Sequence, residues 1–133
     1  FAYLEDVAAD GTAEVIAHGR LQASQRAQGP APYRNFGLPW STGKRADAAP
    51  MRPGEAATLL FELSPTSRVV KAGHRLRLSF TGADQRQRNL AEIAEPTPPT
   101  WTIGLGGEKA SWIELSLSPV STLLSSTRPM NKP

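Results

Sequence analysis

Arg75-Leu76-Arg77-Leu78-Ser79-Phe80 sets polar and apolar side chains at alternate positions without a break. A strand points successive side chains to opposite faces, so this period of two predicts a strand with one buried and one solvated face. The same alternation recurs to either side of this stretch. In residues 14–24 one predicted face carries Val15, Ala17, Gly19, Leu21 and Ala23, and the other His18, Arg20, Gln22 and Ser24, with Ile16 as the exception. Ala57, Leu59, Phe61 and Leu63 form another stripe. Trp101, Ile103 and Leu105 form a short one, and Ile113, Leu115 and Leu117 a last one.

The punctuation agrees with strands. Asp10-Gly11 is a hairpin dipeptide between the first two predicted strands. Pro53-Gly54 and Ala72-Gly73 precede the next two. Twelve prolines and eleven glycines in 133 residues speak against a helical bundle, because proline removes a backbone donor and breaks helix interiors. One short helical turn is expected within residues 84–95, centred on Asn89-Leu90-Ala91-Glu92-Ile93. The fold class that follows is all-β, an antiparallel sandwich with one solvated face per sheet. Residues 1–118 form the domain and residues 119–133 a frayed tail.

Composition excludes several chemistries. The chain has no cysteine, so disulfides, thiolate zinc sites and a cysteine nucleophile are ruled out. Its net charge of +3 comes from 15 basic and 12 acidic residues without a run of either sign, which argues against a nucleic-acid-binding arm. No apolar stretch approaches the roughly 20 residues of a membrane span. With no cysteine and no signal peptide in view, a cytoplasmic setting is the default expectation. Phe1-Ala2-Tyr3-Leu4 reads like the middle of a strand, which suggests a piece of a longer polypeptide.

Catalytic motifs are lacking. Nucleophilic hydrolysis needs an activated serine, a base and an orienting acid. The G-x-S-x-G elbow is absent, and Pro39-Trp40-Ser41-Thr42-Gly43 lacks its first glycine. His18 falls on the polar face of a strand and His74 at a turn, and an esterase built on His74 would need a serine within about 3.2 Å. Asp6, Asp10 and Glu14 are too sparse for a calcium loop and read as a solvated turn. Residues 104–109 (Gly-Leu-Gly-Gly-Glu-Lys) read as a glycine-rich hairpin turn rather than a phosphate loop. No catalytic, cofactor-binding or metal-binding residue is assigned.

The long connection from Gln25 to Pro53 is the most informative region. It holds five prolines, and loops this long are uncommon unless they act in something or are disordered. Tyr33, Phe36, Leu38 and Trp40 cluster within it. Burying them would stabilise on the order of 15–20 kcal/mol as an upper bound. Ordering a dozen residues costs roughly 12–24 kcal/mol. The loop therefore needs a real surface for its aromatics, either this sheet or a partner.

Four stretches in order resemble one family. They are Phe1-Ala2-Tyr3-Leu4-Glu5-Asp6-Val7, Gly19-Arg20-Leu21-Gln22-Ala23-Ser24, Pro32-Tyr33-Arg34-Asn35-Phe36-Gly37-Leu38-Pro39-Trp40, and Pro65-Thr66-Ser67 followed by Lys71-Ala72-Gly73-His74-Arg75-Leu76-Arg77-Leu78-Ser79. Together they are similar to the C-terminal domain of the cocaine esterase and X-prolyl dipeptidyl-peptidase family. The resemblance implies a jelly-roll sandwich of the galactose-binding type, following an α/β-hydrolase domain that carries a Ser-Asp-His triad and cleaves esters, amides or Xaa-Pro dipeptides. None of those catalytic positions falls in the matched stretches. In that family the domain begins upstream of Phe1, so at least one strand is expected to be missing, and a homo-oligomer, a strand exchange or a second chain is expected to supply it. Tyr33, Asn35, Phe36, Leu38 and Trp40 are the candidate interface with the hydrolase domain or a neighbouring subunit. The competing expectation is a stand-alone carbohydrate-binding module with an aromatic platform that uses Trp40 or Trp112.

Overall fold

The computed structural model describes residues 1–84, 100–108 and 110–119. Residues 1–90 and 91–133 form two compact units. The first contains three strands, β1 (Ala2–Val7), β2 (Ala13–Gly19) and β3 (Arg75–Phe80), in one antiparallel sheet of order β2-β1-β3. The all-β expectation holds. The visible architecture is an open sheet, consistent with one layer of a sandwich.

The β1–β2 hairpin forms where Asp10-Gly11 predicts it. Gly11 takes φ +89°, which glycine adopts without steric cost. The turn is closed by Ala8 N–H to the Thr12 carbonyl at 2.9 Å and Gly11 N–H to the Ala8 carbonyl at 3.0 Å. The Asp10 carboxylate accepts the Thr12 N–H at 2.9 Å.

Register explains Ile16. Leu4 pairs with Ala17 but Glu5 pairs with Val15, so Ile16 is the extra residue of a β-bulge. The bulge flips what precedes it. Val15 lies opposite Glu5 rather than on the Ala17 face, and it is 40% exposed. The predicted Val15–Ala17–Gly19 stripe is thus split. Strand β2 also stops at Gly19 instead of running to Ser24, because residues 23–25 turn into a short 3-10 helix, with Gln25 N–H bonded to the Gln22 carbonyl at 2.8 Å.

Strand β3 forms where the alternation predicts it, although Leu76 and Leu78 are only partly buried and Phe80 is 46% exposed. Leu76, Leu78 and Phe80 lie opposite Asp6, Leu4 and Ala2, on one face of the sheet. The buried apolar residues among those described are Ala2, Leu4, Val7 and Ala17. Burying a Leu or Val side chain stabilises by roughly 1.5–3 kcal/mol.

The other predicted strands lie outside the ladder. Residues 61–64 run against the end of β2 without joining the ladder: Ser64 N–H donates to the His18 carbonyl at 2.7 Å, and Phe61, Glu62 and Leu63 crowd Gly19. The Leu60 carbonyl instead accepts from Gln28 Nε2 at 3.0 Å, so a side chain takes the place of a neighbouring strand. In the second unit the apolar stripes stay exposed: Ile103 by 42%, Leu105 by 85%, Ile113 by 41% and Leu117 by 77%. They have no paired strand among the described residues to cover them. Between them the glycine-rich turn forms as expected, with Gly106 and Gly107 at positive φ and Ser111 N–H bonded to the Gly104 carbonyl at 2.8 Å. The expected helical turn falls on residues that, apart from Asp84, lie outside those described, as does the tail beyond Pro119.

Candidate interaction surface

The long loop is built as a neck and a tip. At the neck, Gln28 and Ser41 form an antiparallel bridge, with Gly29 N–H bonded to the Trp40 carbonyl and Thr42 N–H to the Ala27 carbonyl, both at 3.0 Å. The Ser41 hydroxyl donates to the Gln25 carbonyl. Arg26 braces the base, reaching the Ala23 carbonyl at 3.2 Å, the Ala49 carbonyl, and Glu55 at 3.3 Å. Thr42 Oγ1 donates to Asp47 at 2.7 Å, beside the short 3-10 turn Arg45–Asp47. These bonds satisfy several of the backbone groups at the neck and base of the loop from within this region.

The tip stands clear of the sheet. Tyr33 is 55% exposed, Phe36 82% and Leu38 46%, while Trp40 is half-buried at the neck. Trp40 also lines a cavity of about 180 Å³ with Pro39, Phe61 and Arg20. Residues 35–38 make a tight turn, closed by Leu38 N–H to the Asn35 carbonyl at 3.1 Å and locked by Asn35 Nδ2 to the Leu38 carbonyl at 2.6 Å. Phe36 and Gly37 both have positive φ, +57° and +80°. Glycine accepts this conformation. A bulky aromatic does so at a cost of about 1–2 kcal/mol. Among the described residues Phe36 is the sole non-glycine with positive φ. The Arg34 guanidinium sits 5.1 Å from the centre of its ring.

Tyr33 and Trp40 meet edge to face, their centroids 5.2 Å apart and their planes at 81°. Rings at right angles do not make a flat stacking platform, so the sugar-platform reading gains nothing from this pair. Trp112, its other candidate, is 68% exposed in the second unit.

Ser41 and the His74 ring make structural hydrogen bonds, and His18 does so through its backbone. Ser41 is engaged by the Gln25 carbonyl. The backbone of His18 meets Ser64, its N–H donating to Ser64 Oγ at 3.1 Å. The His74 ring bonds Asp6 at 2.7 Å, and no described serine hydrogen-bonds to it.

Sequence reasoning missed the centre of this last arrangement. Asp6 is a buried carboxylate on the Ala2–Leu4 face of β1, not a residue of a solvated turn. One oxygen meets His74 Nδ1, and the other accepts from Arg68 Nε at 3.2 Å. Arg68 then forks onto Glu14 at 3.0 and 2.6 Å. Hydrogen bonding to His74, followed by Arg68, holds the Asp6 carboxyl below its ordinary range. Two of the three carboxylates weighed for calcium are thus partnered by cations. Its burial was legible, since Asp6 shares the parity of Ala2 and Leu4 in β1, but its partners were not. On the opposite face Arg77 makes a two-point bond to Glu5 at 2.7 and 3.1 Å, and Ser79 donates to the same carboxylate. The Arg77 bond, then the Ser79 bond, lowers the Glu5 pKa from 4.5 to about 2.

The described residues therefore define an all-β domain with a braced aromatic projection and polar clusters that tie strands together, the build of an accessory domain. The chain belongs to the X-Pro dipeptidyl-peptidase C-terminal non-catalytic domain family, which matches residues 1–111. That is the family the four sequence stretches resemble. Two relatives, "Putative serine esterase Mb1866c" of Mycobacterium bovis and "Putative serine esterase MT1883" of Mycobacterium tuberculosis, are each 45% identical over 99 residues. The alignment covers 73% of this chain but 16% of each relative. No solved structure matches the chain significantly.

Proposed function

We propose that this non-catalytic domain buttresses the catalytic domain of an α/β-hydrolase that cleaves esters, amides or Xaa-Pro dipeptides. Tyr33, Asn35, Phe36, Leu38 and Trp40 form its contact with that domain. One observation carries this reading: the loop closes its own backbone at the neck and leaves three large apolar side chains in solvent at the tip. An exposed apolar cluster on a rigid support is how a protein presents a surface to another. The family match and the two relatives named as serine esterases support the hydrolase as the partner.

Subunit contact is the second part of the proposal. Strand β3 is hydrogen-bonded to β1 along one edge, and no described strand pairs with the other. A free edge is a template for a strand from a neighbouring chain.

A fluorophosphonate probe and a chromogenic ester test the reading. The isolated 133-residue chain should show no labelled serine and no turnover, whereas the polypeptide that joins it to the hydrolase domain should show both. A labelled serine in this chain would overturn the non-catalytic assignment.

A further inference from the structure

The tip carries charge as well as aromatic surface. Residues 25–53 hold five basic side chains, Arg26, Arg34, Lys44, Arg45 and Arg52, against one acid, Asp47. This local excess of four exceeds the +3 of the whole chain. Arg26 is spent on Glu55, and Asp47 is engaged by Thr42. Arg34, Lys44 and Arg45 are exposed. Of these Arg34 lies in the tip, against Phe36, while Lys44 and Arg45 lie beyond the Gln28–Ser41 neck, so the apolar point carries one exposed cation within a loop that is basic as a whole.

Phe36 marks that point. It is the most exposed of the loop's large apolar residues, and it is held with positive φ between the two bonds that join Asn35 and Leu38. Strain of this kind persists where surrounding bonds over-determine it, and it concentrates at sites of recognition. With the backbone of the turn closed by hydrogen bonds, less ordering entropy is left to lose on contact. The Arg34 guanidinium lies over the ring, and such a pair strengthens as water is removed from it.

We propose that Phe36 is the anchor of the contact, that it enters an apolar pocket on the hydrolase domain, and that carboxylates rim this pocket and receive Arg34. The proposal rests on the reading of this chain as the support of a hydrolase. It adds the anchor residue and the chemistry of the surface that receives it. Charge complementarity selects an acidic rim, since a basic rim would repel Arg34 and a neutral one would desolvate its charge with no carboxylate to offset the cost.

The test uses the polypeptide that carries this chain together with its hydrolase domain. Trypsin cuts after Arg34 if the tip is free. In the wild type, cleavage of the Arg34–Asn35 bond should be at least about tenfold slower than in Phe36→Ala, as expected for a buried aromatic anchor. Phe36→Leu should keep most of the protection. Hydrogen exchange over residues 33–40 serves as a second readout for Arg34→Gln, which lacks the cleavage site. There the wild type should lose protection as salt rises, and the variant should have lost most of that salt dependence. Near-ultraviolet circular dichroism verifies that each variant is folded. Equal cleavage of wild type and Phe36→Ala overturns the anchor, and unchanged salt dependence in Arg34→Gln overturns the acidic rim. If the polypeptide takes up the fluorophosphonate probe but its tip is cut freely, this inference fails and the support role stands. If it takes up no probe, both fail.

Discussion

Gly19 ends β2 at a place where there is no room for a side chain. A Cβ built there would lie 2.3 Å from the Glu62 carbonyl oxygen, 3.0 Å from Leu63 Cδ2 and 3.1 Å from Phe61 Cδ2. The first neighbour is backbone, which cannot swing aside as a side-chain tip can. Gly19→Ala must therefore push residues 61–64 away from β2. Overpacking of this size costs about 1–3 kcal/mol. Losing the bond from Ser64 N–H to the His18 carbonyl adds about 1 kcal/mol. The φ of Gly19 is not in the positive region, so alanine meets no backbone strain there and recovers about 0.4–1 kcal/mol of unfolded-chain entropy. The net loss is about 1.5–3 kcal/mol, which for a unit of this size lowers the melting temperature by roughly 10–20 °C. Thermal unfolding followed by circular dichroism measures it. Hydrogen exchange should show the Ser64 amide losing protection while the Thr12 amide, held by Asp10, keeps its own. A melting temperature within about 3 °C of wild type would refute the close approach of the two segments.

Three further substitutions probe the polar clusters and the tip. Glu5→Gln should flatten the acid limb of stability: the Glu5 pKa is depressed in the fold, so its contribution is present above pH 4.5 and fades as pH falls toward about 2. Urea melts from pH 7 to pH 2 should show wild type and variant converging at the acid end. Asp6→Asn should lower the urea midpoint at neutral pH more than Asp10→Asn does, since Asp6 joins two distant segments through His74 and Arg68 while Asp10 closes a local turn. In the isolated chain Phe36→Gly should be more stable than Phe36→Ala by about 0.5–1 kcal/mol, because both lose the ring and its Arg34 contact while glycine alone takes the positive φ freely, a relief that exceeds its added unfolded-chain entropy. Thermal melts check the sign.

What was legible in the sequence is what local pattern controls. The strict alternation of residues 75–80 located β3, and Asp10-Gly11 located the hairpin. Ile16 was visible as an irregularity, but its meaning was not, because a bulge is decided by pairing with β1 and not by β2 alone. The Val15 face was consequently misassigned. Residues 57–63 carry a strand's pattern but join no ladder, and a backbone bond to β2 comes only with the next residue, Ser64, since period two reports a face and not a neighbour. The aromatic loop stood out in the sequence as a cluster in need of a surface, and the fold leaves Tyr33, Phe36 and Leu38 exposed. Its tip conformation was not legible, because Asn-Phe-Gly is not a turn sequence that demands positive φ at the aromatic. Asp6 was the largest omission. Its partners lie 62 and 68 positions away, beyond any window of local reading.

The braced neck has an evolutionary corollary. Its bonds use mainly backbone atoms and a few residues at the base, so the apex can change its side chains without disturbing the three strands. Selection can then retune which surface the projection fits by substituting residues 33–38 alone. A lineage of enzymes could thus keep one scaffold and diversify its attachments, much as a tool handle accepts interchangeable heads.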